Sequence, residues 1–221
     1  MCKITANVSK DDVQAFYSFC VSARAMWAHY HILFEGTDLQ RELLQSIAGD
    51  FFYDLHAMLT QNMILRICQI TDPEETMGRK NLTVKFLIKN SDFPTTSIEA
   101  RELQRLSDSM HAFRAKIAPA RNKFISHLDR ESVRRDPLLG AASRAEWGQL
   151  WTDLEDFLRI MQKRYIDPNG HFELIHISHL SDADDMVKAL KESTYFHALL
   201  DDKGTTARAS EVALNSKFFE A

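Results

Sequence analysis

The sequence predicts an all-α protein: an antiparallel helical bundle over residues 1–166 with a C-terminal helical appendage, a short arm plus a helix, over 167–221. Three observations carry this. Apolar residues recur in steps of three and four over stretches of twenty residues or more, the period of a helix face. Glycine and proline are scarce, 7 and 5 in 221 residues, so helices are long and breaks are few. The connections between periodic stretches are short, which sets neighbouring helices antiparallel. Hydrophobic residues at 45% against 26% charged supply a core and a solvated surface.

The first helix runs from about Asp11 to Phe34. Val13, Phe16, Cys20, Ala23, Trp27, Tyr30 and Phe34 form its apolar seam, Asp11 or Asp12 suits its N-terminus, and Gly36 follows its end. The second runs from about Leu39 to Ile70 on Leu44, Ala48, Phe51, Leu55, Met58, Asn62 and Leu65, with Asn62 as a buried, satisfied amide. Thr71-Asp72-Pro73 stops it. Asn81 to Asn90 reads as a short helix on Leu82, Phe86 and Leu87. Pro94 and Thr95-Thr96-Ser97 make a turn and cap. A long helix starts at Ile98, with Leu103, Leu106, Met110, Phe113 and Ile117 inward. Pro119 lacks an N–H and clashes with the carbonyl of Ala115, so this helix kinks or restarts there and runs on to about Val133. Ser143 caps a helix to about Tyr165, whose apolar side carries Trp147, Leu150, Trp151, Leu154, Phe157, Leu158 and Met161. Asp167-Pro168-Asn169-Gly170 is a turn and Phe172 to Ile177 a short strand or extended arm. Ser181 with Asp184 resembles a capping box for a last helix from Asp182 to Leu200.

No apolar run reaches membrane-spanning length, and Met1 to Lys10 is too polar for a secretory leader. Cys2, Cys20 and Cys68 are odd in number and widely spaced; Cys20 and Cys68 fall on apolar faces and read as reduced core thiols. These features predict a cytoplasmic protein. No metal set is evident. His29 and His31 diverge on their helix, and His176 and His179 lie in the weakly helical arm.

The net charge of −4 excludes binding of polyanions through bulk charge, but its distribution is uneven. Between Arg114 and Arg135 stand seven basic residues against Asp129 and Glu131, a net of +5 that leaves −9 elsewhere. Lys123, Arg130 and Arg134 are the candidate contacts to a phosphate backbone. Inside this segment lies Arg121-Asn122-Lys123-Phe124-Ile125-Ser126-His127. An imidazole moves protons near neutral pH, and a guanidinium neutralises charge building on phosphorus. At about 100° per residue, Arg121 and His127 lie about 120° apart around the helix, and Phe124 falls between them with Ile117 and Leu128 on the same side. Two such apolar strips packed together bring two arginines and two histidines to one seam. Asn122 points away from the strip, which suits an orienting role.

Arg-Asn, four residues, then His resembles the signature of the HEPN superfamily of α-helical ribonucleases. Arg105 and His111 share the spacing, but Leu106 takes the polar position, so that pair is a decoy. Ile70-Thr71-Asp72-Pro73 and Asn81-Leu82-Thr83-Val84, ahead of the long helix ending in the signature, are similar to the abortive-infection U-type branch. The resemblance covers roughly Asp11 to Tyr165. It implies a HEPN-like bundle that forms a homodimer, with the signature helices of two protomers facing across one composite cleft. It also implies a metal-independent endoribonuclease of toxin or phage-defence type, without cofactor. Arg121, Asn122 and His127 would form its catalytic set and RNA would be its substrate. A nucleotidyltransferase-type antitoxin is the implied partner. Related proteins with that partner carry a Tyr for adenylylation two residues after the signature His, where this chain has Asp129. The alternative is a non-catalytic HEPN module that binds RNA, a nucleotide or a protein partner.

Overall fold

A computed structural model of the chain describes residues 8–122, 142–170 and 181–203, with the side chains of 182–195 in the last segment. It is an all-α helical bundle. Helices α1 (Lys10–Phe34), α2 (Asp38–Ile70), α3 (Val84–Asn90), α4 (Ile98–Ala120), α5 (Arg144–Tyr165) and α6 (Ser181–Lys203) follow in chain order, and the only strands among the described residues are β1 (Glu75–Thr76) and β2 (Arg79–Lys80). The expected arm over Phe172 to Ile177 and the run from Lys123 to Val133 lie outside the described residues. The chain divides into two compact units, residues 1–28 with 57–176 and residues 29–56 with 177–221.

In the first unit the predicted faces of α1, α4 and α5 are the buried ones. Val13, Phe16, Cys20, Ala23 and Trp27 are buried on α1, and Leu103, Leu106, Met110, Phe113 and Ile117 on α4. α5 runs antiparallel to both neighbours. Ser109 meets Asp153, Phe113 meets Trp147 and Lys116 meets Glu146, so positions rise on α4 as they fall on α5. In the same sense Phe16 meets Phe157, and Trp27 stacks on Trp147 at 5.0 Å with Trp151 at 6.3 Å. Each start is capped as the side chains dictate. Ser9 and Asp12 cap α1 reciprocally, Thr83 accepts from Phe86 N–H, Ser97 accepts from Ala100 N–H, and Ser143 forms a full capping box with Glu146.

Five local expectations are corrected. α2 is interrupted at Ala48, whose backbone is non-helical, and the apolar face does not carry across the break. Phe51 and Met58 are exposed, while Phe52, Met63 and Ile67 are buried. Asn62 is therefore on the surface, accepting 2.8 Å from Arg66 Nε, and is not a core amide. Asn81 to Thr83 is not helical. The Asn81 side chain instead donates to the Pro73 carbonyl and the Thr76 hydroxyl, closing the β1–β2 hairpin whose turn places Met77 (φ 51°) and Gly78 (φ 77°) in the left-handed region. Pro119 sits within α4 without a restart: the Arg121 N–H reaches the Ile117 and Ala118 carbonyls and the backbone leaves through a wider, π-type turn. Ile117 is 4% exposed, filling this chain's own core, so it is not part of an exposed apolar strip.

In the second unit Leu33, Ala183 and Val187 form a small core with Leu55 and Met186 against it. Gln40 Nε2 donates to the Ile32 and Leu33 carbonyls and ends α1. Gly36 leaves room for that side chain, since a Cβ there would lie 2.7 Å from Gln40 Oε1. Among the described residues no helix is long and apolar enough to cross a membrane.

Candidate functional site

The site is assembled where α2 ends beside the last two turns of α4. Thr71, buried, donates its hydroxyl 2.6 Å to the Ile67 carbonyl, and its N–H reaches the same oxygen at 3.1 Å. This closes α2 tightly, and Pro73 then restricts the backbone of Asp72 to extended conformations. Asp72 is thus presented on a stiff turn. Arg114 and Arg121 are seven residues apart on α4, two helical turns, and so share a face. Arg114 Nη2 donates 2.5 Å to Asp72 Oδ1, and Arg121 Nη2 lies 3.7 Å from Asp72 Oδ2. Arg121 also donates through Nη1 to Asn122 Oδ1 at 2.9 Å.

Two guanidiniums against one carboxylate leave a net positive charge. The Nε atoms of Arg114 and Arg121 are buried and, among the described residues, have no hydrogen-bond partner. A planar, partly exposed guanidinium such as that of Arg121 suits a phosphate oxygen. Cys68 lies beside the cluster; burial pushes its thiol up against the opposing pull of Arg114 and Arg121, so it is a protonated core residue and no nucleophile. A pocket of about 410 Å³ shares Asp72 and is lined also by Phe16, Phe19, Gln69, Lys80 and Asn81.

Of the predicted site residues, the structure brings Arg121 and Asn122 together. His127, Lys123, Arg130 and Arg134 lie outside the described residues. The sequence-local acids Asp129 and Glu131 lie there too; the described anion near Arg121 is Asp72, 49 positions earlier in the sequence. Three cations of the basic segment are already matched: Arg114 and Arg121 by Asp72, and Lys116 by Glu146. The decoy pair separates. Arg105 is tied to Glu102 on the surface, while His111 donates from Nδ1 to the Ser107 carbonyl at 2.7 Å. Burial lowers the His111 pKa against the pull of that carbonyl.

A match to the AbiU2 HEPN family spans residues 10–192. The chain belongs to this HEPN family. The match extends past Tyr165 into α6, and the interval holds every candidate site residue. No curated protein and no solved structure matches the chain. Asp72 and Arg114 enter the sequence reading only within Ile70-Thr71-Asp72-Pro73 and the basic segment, without a place beside Arg121. The seven-residue spacing of the two arginines was a signal for a shared face; nothing local pointed to Asp72 as their common anion. Among the described residues no group of three or more His, Cys, Asp or Glu could hold a metal ion.

Proposed function

We propose that this HEPN chain is a metal-independent endoribonuclease of toxin or phage-defence type, acting in the cytoplasm as a homodimer. The observation that supports it most is the Arg121 guanidinium, oriented by its neighbour Asn122 at the end of α4 within a net-positive cluster. His127 removes the proton from a ribose 2′-hydroxyl, whose oxygen bonds to phosphorus as the bond to the 5′-oxygen breaks. Arg121 takes up the charge on the phosphorane-like centre. The leaving 5′-oxygen is protonated by His127 of the partner subunit, and the products are a 2′,3′-cyclic phosphate and a 5′-hydroxyl. Lys123, Arg130 and Arg134 bind the RNA backbone. With Ile117 turned inward, the dimer seam rests on Phe124 and Leu128. A nucleotidyltransferase-type antitoxin remains a partner in this proposal, but Asp129 in place of Tyr directs its control away from tyrosine adenylylation.

The test is incubation of a mixed RNA pool with chelator present. Wild type should cleave it to cyclic-phosphate ends, and His127→Ala and Arg121→Ala should each lose about 10²- to 10⁴-fold in rate. Arg105→Ala, with the same spacing to a histidine, should cleave normally. The second reading, a binding module, follows if RNA is bound and left intact by wild type.

A further inference from the structure

We infer that Asp72 is the positioning residue for Arg121, and that Arg114 holds Asp72 in place while blunting its charge. The evidence is the division of one carboxylate between two guanidiniums. Oδ1 is engaged by Arg114 through a direct hydrogen bond at 2.5 Å, whereas Oδ2 stands 3.7 Å from Arg121, close enough to attract and too far to bond. An undivided carboxylate would close on Arg121 in a bidentate pair and consume the donors a phosphate needs. Here Asp72 sets the direction of the Arg121 fork from one side, and Asn122 sets it from the other. The arrangement is rigid at its base. The Thr71 hydrogen bonds fix the end of α2, Pro73 limits the turn, and Arg114 lies within α4, about two turns before its end. Arg121 comes off the final turn of α4, where its own backbone cannot fix the side chain as well. A contact from a neighbouring helix end supplies what α4 lacks.

The kinetic consequence of this role rests on the ribonuclease reading above; its geometric content does not. Asp72→Asn keeps the shape and removes the charge. The mis-aimed guanidinium should lower kcat about 10- to 100-fold, in line with the cost of small misplacements in a preorganised site. The KM for RNA should fall at the same time, because a compensating negative charge is gone, and salt should weaken binding more steeply. A role confined to folding would lower kcat with the active fraction and leave KM and the salt slope alone. Asp72→Glu keeps the charge and moves it by one methylene. It should hold wild-type KM and salt dependence while kcat falls to an intermediate value.

If wild type cleaves no RNA, the ribonuclease reading fails and the Nε–H signal of Arg121 in a ¹⁵N spectrum, assigned with Arg121→Lys, becomes the readout. That signal should shift in Asp72→Asn. An unmoved signal, wild-type kcat in Asp72→Asn, or a kcat loss without change in KM and salt slope overturns the assignment. Should Asp72→Asn fail to fold, unchanged kcat and an unchanged Arg121 signal in Asp72→Glu overturn it instead.

Discussion

Asn122→Ala separates orientation from chemistry at the proposed site. In the structure Asn122 is exposed and touches no core, so the fold should survive; its Oδ1 accepts 2.9 Å from Arg121 Nη1. A hydrogen bond to a charged group nets about 1.5–3 kcal/mol when well shielded. The Arg121 side chain is 33% exposed, and water competes for the same donor, so the contribution falls to about 0.5–1.4 kcal/mol. If that energy restrains the guanidinium in its working orientation, its loss slows the chemical step by about 2- to 10-fold. The assay is single-turnover cleavage of a fluorescent RNA at saturating protein, with far-ultraviolet circular dichroism as the fold control. Asn122→Asp keeps the acceptor and adds charge, so it should pin Arg121 more firmly and raise KM. A loss in Asn122→Ala as deep as in His127→Ala would refute the reasoning, because it would place Asn122 on the reacting phosphate. A wild-type rate would refute it from the other side.

Three further outcomes follow from packing and charge. Trp151 is buried, with an indole N–H that has no partner among the described residues. Trp151→Phe forfeits about 40 Å² of buried apolar area, about 1 kcal/mol, and a cavity term of similar size, but removes an unpaired donor that costs about 1–3 kcal/mol. Urea unfolding should therefore place the variant within about 1 kcal/mol of wild type, and a loss above about 3 kcal/mol would show that the N–H is paired. Ser143→Ala breaks the capping box of α5 and should lower the melting temperature by about 2–4 °C for a cost of about 1 kcal/mol. Asp92 is gripped by both Arg164 and the Tyr165 hydroxyl, which hold its carboxyl down at about 2 from an ordinary 3.8. A depressed carboxylate contributes stability that is whole above its unfolded value and lost as pH falls through the folded one. The melting-temperature difference between wild type and Asp92→Asn should thus be full at pH 5, mostly lost by pH 2 and gone below it; a difference at pH 2 as large as that at pH 5 would contradict it.

Helix faces were legible where one uninterrupted period governed a segment. α4 buries the residues its spacing picks out, as does α1 through Trp27 and α5 from Leu150, while Tyr30, Phe34 and Trp147 are only half-buried and Leu33 is the buried residue near the end of α1. α2 was misread for the same reason in reverse. The spacing from Leu44 was carried through Ala48, where the backbone leaves the helix, and the adjacent pair Phe51-Phe52 let either residue fit the pattern. The hairpin lacked its usual marks: Met77 occupies a left-handed position that Asn or Gly more often fills. At the candidate site, the pairing of Arg121 with Asn122 is legible because the two are neighbours in the chain. Asp72 was not, since its pairing with Arg121 depends on where two helix ends meet.

The division into two units has a consequence for synthesis. Each unit is built from two separate stretches of chain, so neither unit is one continuous fragment. During translation residues 29–56 leave the ribosome with Leu33 and Leu55 still lacking Ala183 and Val187. At about 5–20 residues per second, the wait for residue 187 is roughly ten seconds. Through the second half of that interval the polypeptide already includes both Asp72 and Arg121. A nascent chain stalled near Tyr165 would carry the proposed guanidinium cluster complete and the second core open.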